Sequence, residues 1–178
     1  MGKGTRRFTS IITFCLSFLL AFGTALAASG TSQDITGDFN GDGIPDALIQ
    51  PLDSQSPSQI VLGDSYGNLT IPAQTIQPGF LGLSWGQAKS NIITGDFTGN
   101  GRDDFLLQPL SPSGMNAVLL TDPNGQVHLI NQRFTGPYMG IDWSAASHQI
   151  LTGDFSGSGR KSLLLQTTKP GGMNLIVI

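Results

Sequence analysis

Short runs of apolar residues alternate along this chain with stretches rich in glycine, proline and small polar residues. After residue 27, no stretch keeps the 3.6-residue apolar period of an amphipathic helix for three turns. Short apolar runs bounded by turn residues are typical of strands. The pattern therefore predicts an all-β protein. The predicted strands are residues 33–36, 46–50, 59–62, 69–72, 91–94, 104–108, 117–120, 127–130, 149–152, 162–166 and 174–178.

The predicted strands recur with a period of 58 residues. Gly37, Gly95 and Gly153 each begin a Gly-Asp-Phe tripeptide at this spacing. Other residues recur at the same offset: Gln50, Gln108 and Gln166; Gly67 and Gly125; Trp85 and Trp143; Met115 and Met173. Such a period is typical of propeller blades or solenoid units, which bury an apolar face on their neighbours. We therefore predict four-stranded antiparallel blades in an incomplete β-propeller-like array, with repeats at about 33–90, 91–148 and 149–178.

The first recurring loop, residues 37–46, carries oxygen-bearing side chains at every second position, followed by a glycine and a later aspartate. Calcium takes six to eight oxygen ligands, and alternate side chains can turn toward one centre as the backbone curls. The spacing matches the start of the EF-hand pattern, but no Glu follows at the twelfth position. The alternative is a turn in which the same side chains bond their own backbone. The predicted calcium ligands are Asp38, Asn40, Asp42, the Ile44 carbonyl and Asp46.

The two later loops weaken this pattern stepwise. The loop at 95–104 keeps two acids at ligand positions, and its predicted ligands are Asp96, Thr98, Asn100, the Arg102 carbonyl and Asp104. The loop at 153–162 keeps only Asp154 among the acids, so we expect a turn held by hydrogen bonds there. Calcium affinity follows ligand charge, which predicts that the first loop binds most tightly.

These residues resemble a known family. The three Gly-Asp-Phe loops, each between an apolar strand and a Leu-rich strand ending in Gln, are similar to FG-GAP/VCBS repeats, the calcium-loop repeats of integrin-like β-propellers. The resemblance covers residues 28–178 and implies calcium-stabilised blades. The spacings from Trp85 to Phe97 and from Trp143 to Phe155 further resemble copies in large bacterial Rhs-type and insecticidal-toxin-complex proteins. Because both tryptophans recur in register, packing between blades is favoured over sugar stacking.

Residues 1–27 have the pattern of a secretory signal peptide. The basic residues are Lys3, Arg6 and Arg7, the mostly apolar segment is 11–21, and the cleavage site is Ala25-Leu26-Ala27. A membrane anchor is the alternative, but the apolar segment is too short to span a bilayer. We therefore predict a secreted chain, extracellular or periplasmic, with no membrane association after cleavage.

Removal of this leader changes the charge and the cysteine content. The single cysteine, Cys15, is lost, so the mature chain can form no disulfide. Six of the nine basic residues remain against twelve acids, all of them Asp and most of them in the three loops. This balance disfavours nucleic acid and anionic membranes as partners. The predicted role is a binding or scaffold module, and the residues do not distinguish a protein ligand from a carbohydrate.

One short motif offers an enzymatic alternative. Residues 63–67 fit G-x-S-x-G, the nucleophile motif of α/β-hydrolases, with Ser65 as the nucleophile. That motif needs a strand-to-helix turn, whereas here it lies between two predicted strands. The matching stretch of the next repeat, residues 121–125, has the Asn-Gly of a hairpin. The pattern therefore favours a protein without catalytic activity.

The third predicted repeat has no fourth strand, since the sequence stops at Ile178. Propellers typically close with four to eight blades. An unclosed array leaves strand edges, and the apolar strand at 174–178 could recruit another chain. Two interpretations follow: self-association or partner binding through exposed edges, or the front portion of a larger exported toxin or Rhs-type protein whose activity lies downstream. The lack of an atypical capping repeat favours the second.

Overall fold

The computed structural model describes residues 32–177, so the signal-peptide prediction for residues 1–27 lies outside the described range. The strands are β1 Ser32–Gly37, β2 Asp46–Pro51, β3 Ser58–Gly63, β4 Leu69–Ile76, β5 Ser90–Gly95, β6 Asp104–Pro109, β7 Met115–Thr121, β8 Val127–Thr135, β9 His148–Gly153, β10 Ser162–Thr167 and β11 Leu175–Val177. A short 3-10 helix spans Phe80–Gly82. No helix within residues 32–177 is long and apolar enough to cross a membrane.

Each repeat forms one antiparallel sheet. Blade 1 has the order β1-β2-β3-β4, blade 2 has β5-β6-β7-β8, and blade 3 contains β9, β10 and β11 with β10 in the middle. β5 contacts both β1 and β9, so the first strands of the three blades run side by side. The predicted fold class, an all-β array of antiparallel blades, is confirmed.

The fourth strands of blades 1 and 2 run furthest beyond their predicted ends, and β8 continues from the predicted end at Ile130 to Thr135. The prediction ended the fourth strand of blade 1 at Pro72, but β4 continues to Ile76. The pairing of β3 with β4 shifts register on both sides of Val61, and Pro72 pairs with Val61 at this irregularity. Proline has no N–H to donate and is tolerated at bulges, so the strand passes through it.

The main core lies between blades 1 and 2. We call the face that a blade turns to the next repeat its leading face, and the opposite face its trailing face. Ile35, Phe39, Leu48 and Ile60 of the first leading face pack with blade 2 residues that include Ile92, Phe105, Leu107 and Leu119. The rings of Phe39 and Phe105 lie 4.7 Å apart between centroids. Blades 2 and 3 share a smaller cluster around Leu106, Trp143, Ile150 and Leu165.

Both tryptophans lie in the linkers that lead from one blade to the next, and both are buried. The Trp85 ring packs edge-on against Phe105, with 6.4 Å between centroids. Trp143 packs in the same manner against Phe134 at 5.5 Å. Each indole N–H donates to a carbonyl five residues earlier in its own linker. The predicted packing role between blades is confirmed.

The recurring glutamines tie each blade to the linker that follows it. Nε2 of Gln50 donates to the carbonyls of Trp85 and Ser90, both at 2.9 Å. Nε2 of Gln108 donates to the carbonyls of Trp143 at 3.0 Å and His148 at 2.7 Å. Both glutamine side chains are buried, whereas Gln166 at the same position of blade 3 is exposed.

We expect Gln108→Ala to lower the free energy of unfolding by about 1–3 kcal/mol, because it removes the donor from two carbonyls in the blade interface. The matched substitution Gln166→Ala should change it by no more than about 0.5 kcal/mol, since the side chain is exposed. Urea denaturation of both variants measures the difference. Equal losses would show that the amide bonds to the linker add nothing to stability.

Candidate metal-binding loops

The three loops join the first and second strands of their blades in the same register. The strand pairs that flank them are Gly37 with Asp46, Gly95 with Asp104 and Gly153 with Ser162. In the first loop, Gly41 and Gly43 both have φ near 81°, the left-handed region that favours glycine. The repeated glycines therefore set the curl that turns alternate side chains inward.

The first aspartate of each loop holds the turn together. Oδ1 of Asp38 accepts from the N–H groups of Gly41 at 2.7 Å and Asp42 at 3.1 Å, and Oδ2 accepts from Gly43 at 2.8 Å. Asp96 accepts the equivalent three bonds in the second loop. Asp154 accepts from Ser158 and Gly159 in the third. The third loop is thus a hydrogen-bonded turn, and all three loops share this turn.

The middle positions of the first loop bond to one another. Oδ1 of Asn40 accepts from the Asp42 N–H, while Nδ2 of Asn40 donates to Oδ2 of Asp42, both at 2.9 Å. Oδ1 of Asp42 accepts from the Ile44 N–H at 2.8 Å. Within residues 32–177, no three His, Cys, Asp or Glu side chains are grouped so that they could hold a metal ion. In this conformation the loop carboxylates bind peptide N–H groups.

The closing aspartates are buried and tie the loops to the third strand of their blades. Asp46 accepts from the Phe39 N–H at 2.8 Å and from the Gly63 N–H at 2.9 Å. Asp104 accepts from the Thr121 N–H at 3.1 Å and from the Thr98 hydroxyl at 3.3 Å. The third loop has Ser162 at this position. The first two loops therefore bury a carboxylate that the third does not have.

Burial sets the electrostatics of these closing positions. Desolvation raises the pKa of the Asp46 carboxyl, and the nearby charge of Asp42 raises it further, against the N–H groups that lower it. Desolvation likewise raises the pKa of Asp104, with Asp96 as the neighbouring charge. By contrast, the Gly159 N–H helps to hold the pKa of Asp154 below its usual value. Loops one and two thus each hold two carboxylates whose ionised forms repel.

Adjacent loops also stack on one another. The Asp103 N–H donates to the Asp38 carbonyl at 2.7 Å, and the Asp38 N–H donates to Oδ2 of Asp103 at 3.1 Å. The Lys161 N–H donates to the Asp96 carbonyl at 2.9 Å. Each of the first two loops is therefore covered by the loop of the next repeat.

An arginine side chain of one loop also lies against a glycine of the preceding loop: Arg102 against Gly41, and Arg160 against Gly99. A Cβ added to Gly41 would lie 2.9 Å from Cγ of Arg102, and one added to Gly99 would lie 2.8 Å from Nε of Arg160. The predicted ligands include only the carbonyl of Arg102, and the contact of its side chain with the preceding loop was not predicted. The signal that could have found it is the recurrence of Arg one period later.

Ser65 lies in the exposed hairpin turn between β3 and β4. Oδ1 of Asp64 accepts from the N–H groups of Tyr66 and Asn68, both at 2.9 Å, and this orders the turn. The chain leaves Ser65 into another strand of the same sheet. The strand-to-helix turn that the hydrolase motif requires is therefore missing at residues 63–67.

Successive antiparallel blades, each with an oxygen-rich turn between its first and second strands, define a propeller-like repeat protein. Residues 38–107 match the family model of the FG-GAP-like repeat, which confirms the FG-GAP resemblance from the first loop through β2, β3, β4 and β5 to the second loop and most of β6. No curated protein and no solved structure matches the chain. FG-GAP repeats are typically non-catalytic and indicate a binding or scaffold module.

Proposed function

We propose that the protein is an exported calcium-binding module with a binding or scaffold role, in which calcium stabilises the first two loops. The observation that carries this proposal is the first loop, where four oxygen-bearing side chains lie within nine residues and Asp46 is buried close to the charge of Asp42. A cation at this loop would offset both the burial of a carboxylate and the repulsion between carboxylates.

The donor set suits calcium. All the candidate ligands are oxygens, which a hard cation prefers, and a carboxylate oxygen has two lone-pair sites. Oδ2 of Asp38 and both oxygens of Asp46 each accept one of the peptide N–H bonds described above, which leaves a site on each. Loop one would hold the ion with Asp38, Asn40, Asp42, the Ile44 carbonyl and Asp46. Loop two would use Asp96, Thr98, Asn100, the Arg102 carbonyl and Asp104.

The contacts of these loops favour a structural role for the ion. Asp46 accepts hydrogen bonds from the start of its own loop and from the end of β3. An ion that fixes this side chain would therefore hold the loop and β3 together. The backbone of Asp38 bonds to Asp103 of the next repeat, so order in loop one also supports the blade interface. Bound calcium would neutralise the loop and hold both sets of contacts.

The sequence supports the proposed export and the proposed class of ligand. The leader pattern supports export, and the acidic mature chain supports a protein or carbohydrate ligand over nucleic acid or a membrane surface. Arrays of proteins and of carbohydrates, probed with this protein in the presence and absence of calcium, distinguish a protein ligand from a carbohydrate ligand.

We expect titration calorimetry with calcium to rank the loops by their acids. Asp42→Ala should lose the most calcium binding, because it removes a carboxylate from the most acidic loop, and Asn100→Ala should lose less. Asp154→Ala serves as the control and should lose least, since its loop has no second acid. If Asp154→Ala removes a whole binding equivalent, the third loop is a metal site. If the mature chain shows no calcium-dependent heat at any concentration, the proposed function fails.

A further inference from the structure

Blade 3 exposes the face that blade 1 buries and that blade 2 partly buries. The equivalent residues of blades 1 and 3 are Ile35 and Leu151 (9% and 40% exposed), Phe39 and Phe155 (0% and 42%), and Ile60 and Ile176 (0% and 54%). All six residues are apolar. In blade 1 these side chains are covered by the linker and the trailing face of blade 2. The leading face of blade 3 therefore keeps the apolar chemistry of a blade interface while it lies open.

The polar parts of the interface are kept as well. Gln166 stands where Gln50 and Gln108 donate to the carbonyls of the following linker, and its side chain is exposed. Gly157 stands where Gly41 and Gly99 make room for an arginine of the next loop, and a Cβ there would meet nothing within 4 Å. Gly157 is also favoured by its own left-handed φ of 72°, whereas an apolar patch alone would not need the Gln166 amide at this position.

We propose that the leading face of blade 3, formed by Leu151, Phe155, Gln166, Ile176 and Gly157, is a docking site for a further blade of the same repeat type. That blade presents a large apolar residue opposite Phe155, as Phe105 lies opposite Phe39. Its loop carries an arginine over Gly157, as Arg160 lies over Gly99. It enters through a linker whose carbonyls accept from Gln166. Both existing interfaces have this form, so the site continues an established pattern of contacts.

Blade 1 of a second copy does not meet these requirements. Its loop has Ile44 and Pro45 at the positions of Arg102 and Asp103. Proline has no N–H, so it cannot donate to the Asp154 carbonyl in the way that Asp103 donates to the Asp38 carbonyl. Ala47 stands at the position of Phe105 and offers little surface to Phe155. The face therefore selects a blade like blade 2 or blade 3.

The test adds such a blade to the complete chain. Residues 121–178 are repeated directly after Ile178, which continues the 58-residue register because Ile178 occupies the repeat position of Leu120. The extension supplies an outer strand, a linker with Trp143 and another copy of β9, β10 and β11. We expect the amides of residues 151–157 to exchange at least about tenfold more slowly than in the chain without the extension.

Two variants separate docking on this face from mere pairing at the free edge of β11. In the extended chain, Phe155→Ser and Gln166→Ala in the original blade 3 should each remove most of the added protection. Tyr66→Ser is the matched control, because it removes an aromatic ring that is 88% exposed at a hairpin turn of blade 1. This control should keep the added protection.

Two results would overturn the proposal. One is unchanged exchange at residues 151–157 in the extended chain, whether or not the added repeat folds, because the proposed contacts would then not form. The other is concentration-dependent dimerisation of the chain without the extension, measured by sedimentation and abolished by Phe155→Ser. That result would assign the face to a second copy.

Discussion

Replacing Phe39 with alanine is expected to lower the free energy of unfolding by about 3–5 kcal/mol. Phe39 is fully buried, and its ring packs against Phe105 of the next blade. The truncated side chain would leave a cavity in the interface between blades 1 and 2, lined in part by Trp85 and Phe105. Urea denaturation followed by tryptophan fluorescence measures the loss, because Trp85 lies in the same cluster.

The repeat provides a matched control for this substitution. Phe155 has the same side chain at the same repeat position, but it is partly exposed because no blade covers it. Phe155→Ala should cost no more than about 1 kcal/mol. If both substitutions cost the same, burial between blades is not what stabilises the array, and the interfaces described above contribute little.

Calcium should raise the thermal stability of the protein. An ion that binds only the folded state adds about 2.7 kcal/mol per site at a hundred times its Kd. For a domain of this size this corresponds to a rise of roughly 5–11 °C in Tm for each fully coupled site. Thermal unfolding in EDTA and in excess calcium measures the shift.

Two controls sharpen the calcium experiment. Asp154→Ala should retain the shift, whereas Asp42→Ala should lose much of it, because the first loop carries the most ligand charge. Magnesium at the same concentration should reproduce little of it, since this smaller ion demands octahedral geometry and gives up its water reluctantly. Identical midpoints in EDTA and calcium would remove the metal from the proposed function.

Most of the strand pattern could be predicted because its determinants are local. Turn residues bound every apolar run, and the 58-residue period places the first three strands of a blade three times and the fourth twice, so errors in one repeat are corrected by the others. Pro72 is a position where local signals do not predict the strand. A proline ends most strands, and only the register shift opposite Val61, a property of the pairing, lets β4 continue to Ile76.

In the candidate site, the contacts within a loop could also be predicted from the sequence, but the contacts between loops could not. The contacts within each loop follow from side-chain spacing over a few residues, so Asp38, Asn40 and Asp42 could be placed together from the sequence. The contact of Asp38 with Asp103 joins residues 65 positions apart. It depends on how two blades pack, which no local pattern specifies. The recurring glutamines were visible as a period, but their bonds to linker carbonyls became clear only with the blade interface.

Pro45 has a consequence for the behaviour of the protein at high concentration. An interface that joins the leading face of one molecule to the trailing face of the next does not close on itself, and repeated contacts of this kind build open filaments. A chain made of identical blades would carry both halves of such a contact. Here the loop of blade 1 lacks the N–H and the arginine that the later loops use to cover their predecessors. The loop of blade 1 therefore disfavours this contact between two copies of the chain, and with it the growth of a filament.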